Sequence, residues 1–108
     1  MVIWTKHSRA KMRYYGISEK RLLGVLRKPD RKEEGIALNT IASMQITGTK
    51  KHPTEMWIMY QVINPKSEIR NPKIRIISGW RYPGRTPEDE RPIIPDDILR
   101  DLKDLINE

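Results

Sequence analysis

The order of hydropathy patterns along this chain predicts an α+β domain: two N-terminal helices packed on a three- to four-stranded antiparallel sheet, with one more helix at the C-terminal end. Three observations carry that expectation. Two segments with helical spacing meet at Gly16-Ile17-Ser18, the middle of the chain switches to alternating spacing, and helical spacing returns after Pro95.

The stretch from Trp4 to Ser18 reads as a basic helix ending in a glycine stop, with a second helix beginning at once. Gly16 stands where a left-handed residue closes a helix, and Ser18 can accept a hydrogen bond from the open amides of the next one. Ile17 before that cap and Leu22 at the fourth helical position have the spacing that closes an apolar pair over a helix start. Leu22, Leu23, Val25 and Leu26 give the second helix one apolar stripe, and Pro29 ends it. On the first helix, His7 and Lys11 lie four apart, and Ser8, Met12 and Tyr15 share a neighbouring face.

The sheet follows. Ala42, Met44 and Ile46 alternate with Ser43, Gln45 and Thr47, as in a strand with one buried face. Gly48 to Thr54 is a polar turn, and Glu55 to Ile63 is apolar on both faces, which suits a central strand. Asn64-Pro65 and Asn71-Pro72 bracket a polar loop containing Arg70. A third strand, Lys73 to Tyr82, is expected to place Arg75 and Arg81 on one cationic face, opposite Ile74, Ile76, Trp80 and Tyr82. Pro83-Gly84 turns the chain, prolines keep residues 83 to 95 extended or irregular, and a helix from about Pro95 buries Ile98, Leu102, Leu105 and Ile106. Trp4, Trp57 and Trp80 are expected inside, because a chain without phenylalanine needs its large rings in the core, and Tyr14 and Tyr15 half in the packing.

At 108 residues one domain is expected, read here as a basic unit, 1–87, with an acidic helical extension, 88–108. The net charge of +7 is uneven: 18 Lys and Arg against 6 Asp and Glu in the first part, 3 against 8 in the second. A body this positive suits polyanions, since each phosphate neutralised releases counterions. Without cysteine, a thiolate metal site and a disulfide framework are ruled out, and two distant histidines make no zinc site; no metal and no cofactor are expected. No apolar run approaches a membrane span, so a cytoplasmic protein without membrane contact is the expectation.

The tract Trp4-Thr5-Lys6-His7-Ser8, the pair Lys11-Met12, the turn Tyr15-Gly16-Ile17-Ser18 and the exit Val25-Leu26-Arg27-Lys28-Pro29 resemble the opening of Domain of Unknown Function 4258. Members of that family commonly begin with a strand, a His-containing helix, a glycine-isoleucine-serine turn and a second helix ending before proline. It is similar to the BrnT toxins and, more distantly, to the RelE and ParE fold. The resemblance covers roughly residues 3 to 82 and implies two helices on an antiparallel sheet. Toxins of that fold include messenger-RNA endonucleases, gyrase poisons and proteins with no demonstrated activity, so the fold does not choose a function.

For a metal-independent ribonuclease, the candidates are His7 as proton carrier and Arg75 and Arg81 as phosphate grips. Lys11 and Arg85 could bind RNA nearby, and Tyr60 and Tyr82 could stack a base. The expected partners are RNA or ribosome-bound message and an antitoxin-like acidic protein. The alternative is a non-catalytic interaction module whose basic sheet docks an acidic partner, or its own acidic helix in a homo-oligomer.

Overall fold

The computed structural model describes residues 2–35, 39–63 and 73–106. In chain order these form β1 (Val2–Trp4), α1 (Lys6–Tyr15), α2 (Glu19–Arg27), β2 (Arg31–Glu34), β3 (Thr40–Gly48), β4 (Pro53–Val62), β5 (Ile74–Pro83) and α3 (Asp96–Ile106). The α+β class is as expected, but the sheet has five strands in the order β1-β5-β4-β3-β2 and is mixed, because β1 pairs parallel to β5 while the other neighbours are antiparallel. The expected loop from Asn64 to Pro72 lies outside the described residues.

The helical hairpin forms as its local chemistry dictates. Thr5 caps α1, its hydroxyl accepting from the Ser8 amide, and Gly16 closes the helix at φ 65° with its N–H donating back to Arg13 and Met12. The Ser18 hydroxyl then accepts from the Arg21 amide at 3.1 Å, opening α2. Ile17 and Leu22 are both buried, so the apolar pair across the helix start is made.

β1 ends at Trp4, after three paired residues, and leaves the second half of β5 without a strand neighbour on that side. α1 fills the place. Its start is tied to β5 by the Thr5 hydroxyl, which donates to the Ile76 carbonyl at 2.8 Å, and its end by Arg81, whose Nε donates to the Tyr15 carbonyl at 3.2 Å. Five strand residues and ten helical residues both span about 15–17 Å, so the two ties fit one helix laid along one strand.

The sheet buries both faces. On the first, Met12, Ile17, Leu22 and Val25 of the hairpin pack on Met56, Ile58, Tyr60 and Ile76. Gly79 allows α2 its close approach, since a Cβ there would stand 3.0 Å from a Leu22 methyl. On the second face, Ile98 and Leu102 of α3 cover Ala42, Met44, Trp57, Met59, Ile77 and Trp80, the two indoles stacked with centroids 6.1 Å apart. Burying each aliphatic side chain contributes about 1.5–3 kcal/mol, enough to hold a short amphipathic helix against the sheet.

Two polar tethers fix the segment leading to α3. Glu55 is fully buried on β4; its Oε1 accepts from Thr86 Oγ1 at 2.7 Å and from Trp57 Nε1 at 3.2 Å, and its Oε2 from Arg85 Nε at 3.4 Å. Arg31 lies over the Trp57 ring at 5.8 Å and donates to the carbonyls of Thr86, Pro87 and Glu90. The acidic C-terminal part is therefore packed as the second cover of the sheet.

One irregularity rewrites the expected faces of β5. Met59 pairs with Ser78 but Tyr60 pairs with Ile76, so Ile77 is an extra residue, a β-bulge. Alternation restarts after it. Arg81 falls on the hairpin face, opposite Met56, while Arg75 pairs with Gln61 on the other face. The single cationic face expected for Arg75 and Arg81 does not exist.

Candidate nucleic-acid interface

α1 presents His7, Lys11 and Tyr15 at four-residue spacing, one ridge of a helix, and α3 answers with Asp97 and Asp101 at the same spacing. Lys11 Nζ lies 2.9 Å from Asp97 Oδ2 and 3.2 Å from Asp101 Oδ2. The Tyr15 hydroxyl donates to Asp97 at 3.2 Å, and His7 Nδ1 stands 3.8 Å from Asp101 Oδ1. The charges reinforce one another. Burial alone would lower the Lys11 pKa, yet its hydrogen bonds to Asp97 and Asp101 and their charges leave it raised. Burial alone would raise Asp97, and Lys11, by hydrogen bond and by charge, with the Tyr15 hydroxyl, holds it below the usual carboxylate value. Burial and the Asp97 charge push the Tyr15 hydroxyl up to about 12.

The residues singled out from the sequence are thus distributed over separate surfaces. His7 and Lys11 share the seam with α3. Arg81 is exposed and caps the carbonyl end of α1 through Tyr15 and Gly16. Arg85 is partnered with buried Glu55, and Arg75 is half-buried on the opposite side of the sheet from Arg81. Tyr60 is in the core under the hairpin, within 3.4 Å of the Ser43 hydroxyl, and offers no ring face to a ligand. Tyr82 is half-buried against the α3 cluster. His7, Arg75 and Arg81 do not converge on one reacting atom, which the proposed cleavage chemistry would need.

What converges instead is positive charge on the outside of the hairpin. Lys6, Arg9 and Arg13 of α1 and Lys20, Arg21, Arg27 and Lys28 of α2 and its end are all exposed, with Glu19 the one carboxylate between Lys6 and Lys28. Lys6, Arg9 and Arg13 recur at positions i, i+3 and i+7, the solvent-facing ridge of α1. Glu19 pairs with Arg9 at 3.3 Å, but both side chains are about half exposed, so the pair contributes little and is open to competition by phosphate. A shallow groove lined by Arg9, Arg13, Gly16 and Ser18 lies along α1 and the turn that leads into α2. Tyr14, on another side of α1 next to Lys11, stands largely in solvent.

Sequence reasoning named Lys11 of this helix as an RNA contact but expected Tyr14 half in the packing and so missed it as a surface ring. The signal was available: Tyr14 lies four residues from Ala10 and eight from Lys6, on the polar ridge, whereas Tyr15 lies three from Met12, on the packed one. A second cleft, between β2 and the segment before α3, carries Glu33, Glu34 and Arg91 and has no excess of positive charge. Among the described residues no group of His, Asp or Glu is arranged to hold a metal ion, and no helix is long and apolar enough to cross a membrane.

The arrangement can grip a polyanion without base-specific machinery. No protein-family model, no curated protein and no solved structure matches the chain.

Proposed function

We propose that this chain is an RNA-binding protein related to the BrnT and RelE toxins, which holds the RNA backbone on the outer surface of the α1–α2 hairpin. The observation that carries the reading is the run of seven exposed cations from Lys6 to Lys28 against the single carboxylate of Glu19. Kinship with those toxins is supported by the opening strand, the His7 helix, the Gly16-Ile17-Ser18 turn and the second helix ending before Pro29, with both helices on one face of the sheet. In this reading Asp97 and Asp101 shield Lys11 and His7 while the rest of the hairpin stays open. His7 Nδ1 faces Asp101 at 3.8 Å, which leaves Nε2 as the ring nitrogen for any proton transfer with RNA.

The test is the affinity of the intact protein for a labelled RNA across a salt series, repeated with Arg9→Ala/Arg13→Ala and Lys20→Ala/Arg21→Ala. Each single-strand phosphate neutralised steepens the log–log slope by about 0.7, so five contacts give a slope near −3.5 and each double variant flattens it by about 1.4. A flat response, or slopes unchanged in both variants, overturns the reading.

The fit of Asp97 and Asp101 onto Lys11 favours one second reading, a non-catalytic module that docks acidic helices through the α1 ridge. Asp97→Asn/Asp101→Asn separates the two. It raises RNA affinity if α3 is a shield, and leaves RNA unbound while freeing the ridge for an acidic partner helix if docking is the function.

A further inference from the structure

The geometry points to Tyr14 as a stacking platform for an unpaired nucleobase, which makes single-stranded RNA the class of ligand; the inference rests on the RNA-binding reading above and narrows it. Tyr14 is 74 % exposed, well beyond the 42–49 % of the other exposed large apolar residues. A single exposed ring is ordinary on a protein surface; a ring held in place amid cations is less so. The Tyr15 ring meets Tyr14 edge-on, with centroids 4.9 Å apart and planes at 84°, and Lys11 Nζ sits 5.6 Å from the Tyr14 centroid. Tyr15 is itself anchored through its hydroxyl to Asp97, so the brace is fixed.

The remainder of the ring is open. One turn back on the same ridge stands Ala10, exposed and too short to cover it. Arg13 is exposed and makes no ion pair among the described residues, and Arg81 reaches the same end of α1 through the Tyr15 and Gly16 carbonyls. A base on Tyr14 would place its flanking phosphates beside these two guanidiniums, the combination of aromatic face and cationic track by which unpaired strands are held. In a duplex the base faces are stacked inside and unreachable, whereas in a single strand they are free.

The experiment measures anisotropy of a short labelled single-stranded RNA and of a blunt duplex of equal length, with the intact protein, Tyr14→Ala and Tyr14→Phe. Stacking predicts that Tyr14→Ala weakens single-strand binding roughly ten- to a hundredfold while Tyr14→Phe keeps it, and that duplex binding is the same in all three. Melting of both variants should match the parent, since the ring is not part of the core. Unchanged single-strand affinity in Tyr14→Ala, an equal loss on the duplex, or an equal loss in Tyr14→Phe overturns the platform. If those results come with a steep salt slope in the parent protein, RNA binding survives and stacking alone falls. No RNA binding by the parent removes both.

Discussion

Neutralising Asp97 should reveal how firmly α3 is fastened to α1. The Lys11 ammonium makes two close contacts, 2.9 Å to Asp97 and 3.2 Å to Asp101, and the three side chains retain 16 %, 26 % and 23 % of their exposure. Fully exposed ion pairs contribute about 0.2–1 kcal/mol, while hydrogen bonds to charged groups sheltered from water contribute about 1.5–3 kcal/mol. These exposures lie between the two regimes, so Asp97→Asn should cost about 1.5 kcal/mol, or a melting temperature lower by about 6 °C for a domain of this size. The assay is a double-mutant cycle with Lys11→Met, by urea unfolding at neutral pH and low salt. A coupling energy of at least ~1 kcal/mol is expected. Because the folded-state pKa of Asp97 is depressed, the contribution is complete above the unfolded value of about 4 and is lost as the pH falls through the folded one. The coupling should therefore vanish in acid. A coupling below ~0.3 kcal/mol at neutral pH, or one that persists after Asp97 is protonated, would refute the seam as a cohesive contact.

Tyr15 and Lys11 add an alkaline counterpart: both folded pKa values are raised, so stability is intact below about pH 10 and declines as the pH rises toward about 12, and Tyr15→Phe should reduce that decline in a pH series of thermal melts. Glu55→Ala removes a buried carboxylate with three donors and should cost about 3 kcal/mol by urea unfolding, with the segment around Thr86 becoming a site of limited proteolysis. Gly16→Ala forces a side chain into φ 65° and should cost about 1 kcal/mol, read as a lower urea midpoint with an unchanged slope.

The helical hairpin was legible because every signal that builds it is local: a left-handed glycine, a serine cap and an apolar pair five residues apart. Strands β3 and β5 were legible from alternation, β4 from an apolar run on both faces, and α3 from its spacing. β1 and β2 were not. Three residues carry no period, and Arg31–Glu34 is charged throughout, as suits an edge strand that must not recruit another chain. The bulge at Ile77 left no glycine or proline to mark it, yet one inserted residue sends Arg75 and Arg81 to opposite faces. The candidate site shifted for the same reason. Charge drew attention to the N-terminal helix, but whether Lys11 faces solvent or a carboxylate is decided by a residue eighty-six positions away.

The laying of α1 along β5 also sets an order of assembly. The Thr5 hydroxyl donates to a carbonyl 71 residues further along. The two helices and the β3–β4 hairpin can each form from neighbours in sequence, but the hairpin's apolar stripe has no complete surface to settle on until the last strand is made. Until then the chain carries an amphipathic helix pair whose apolar stripe is not yet buried. Late synthesis of β5 is thus the event that converts a sticky N-terminal segment into a folded one.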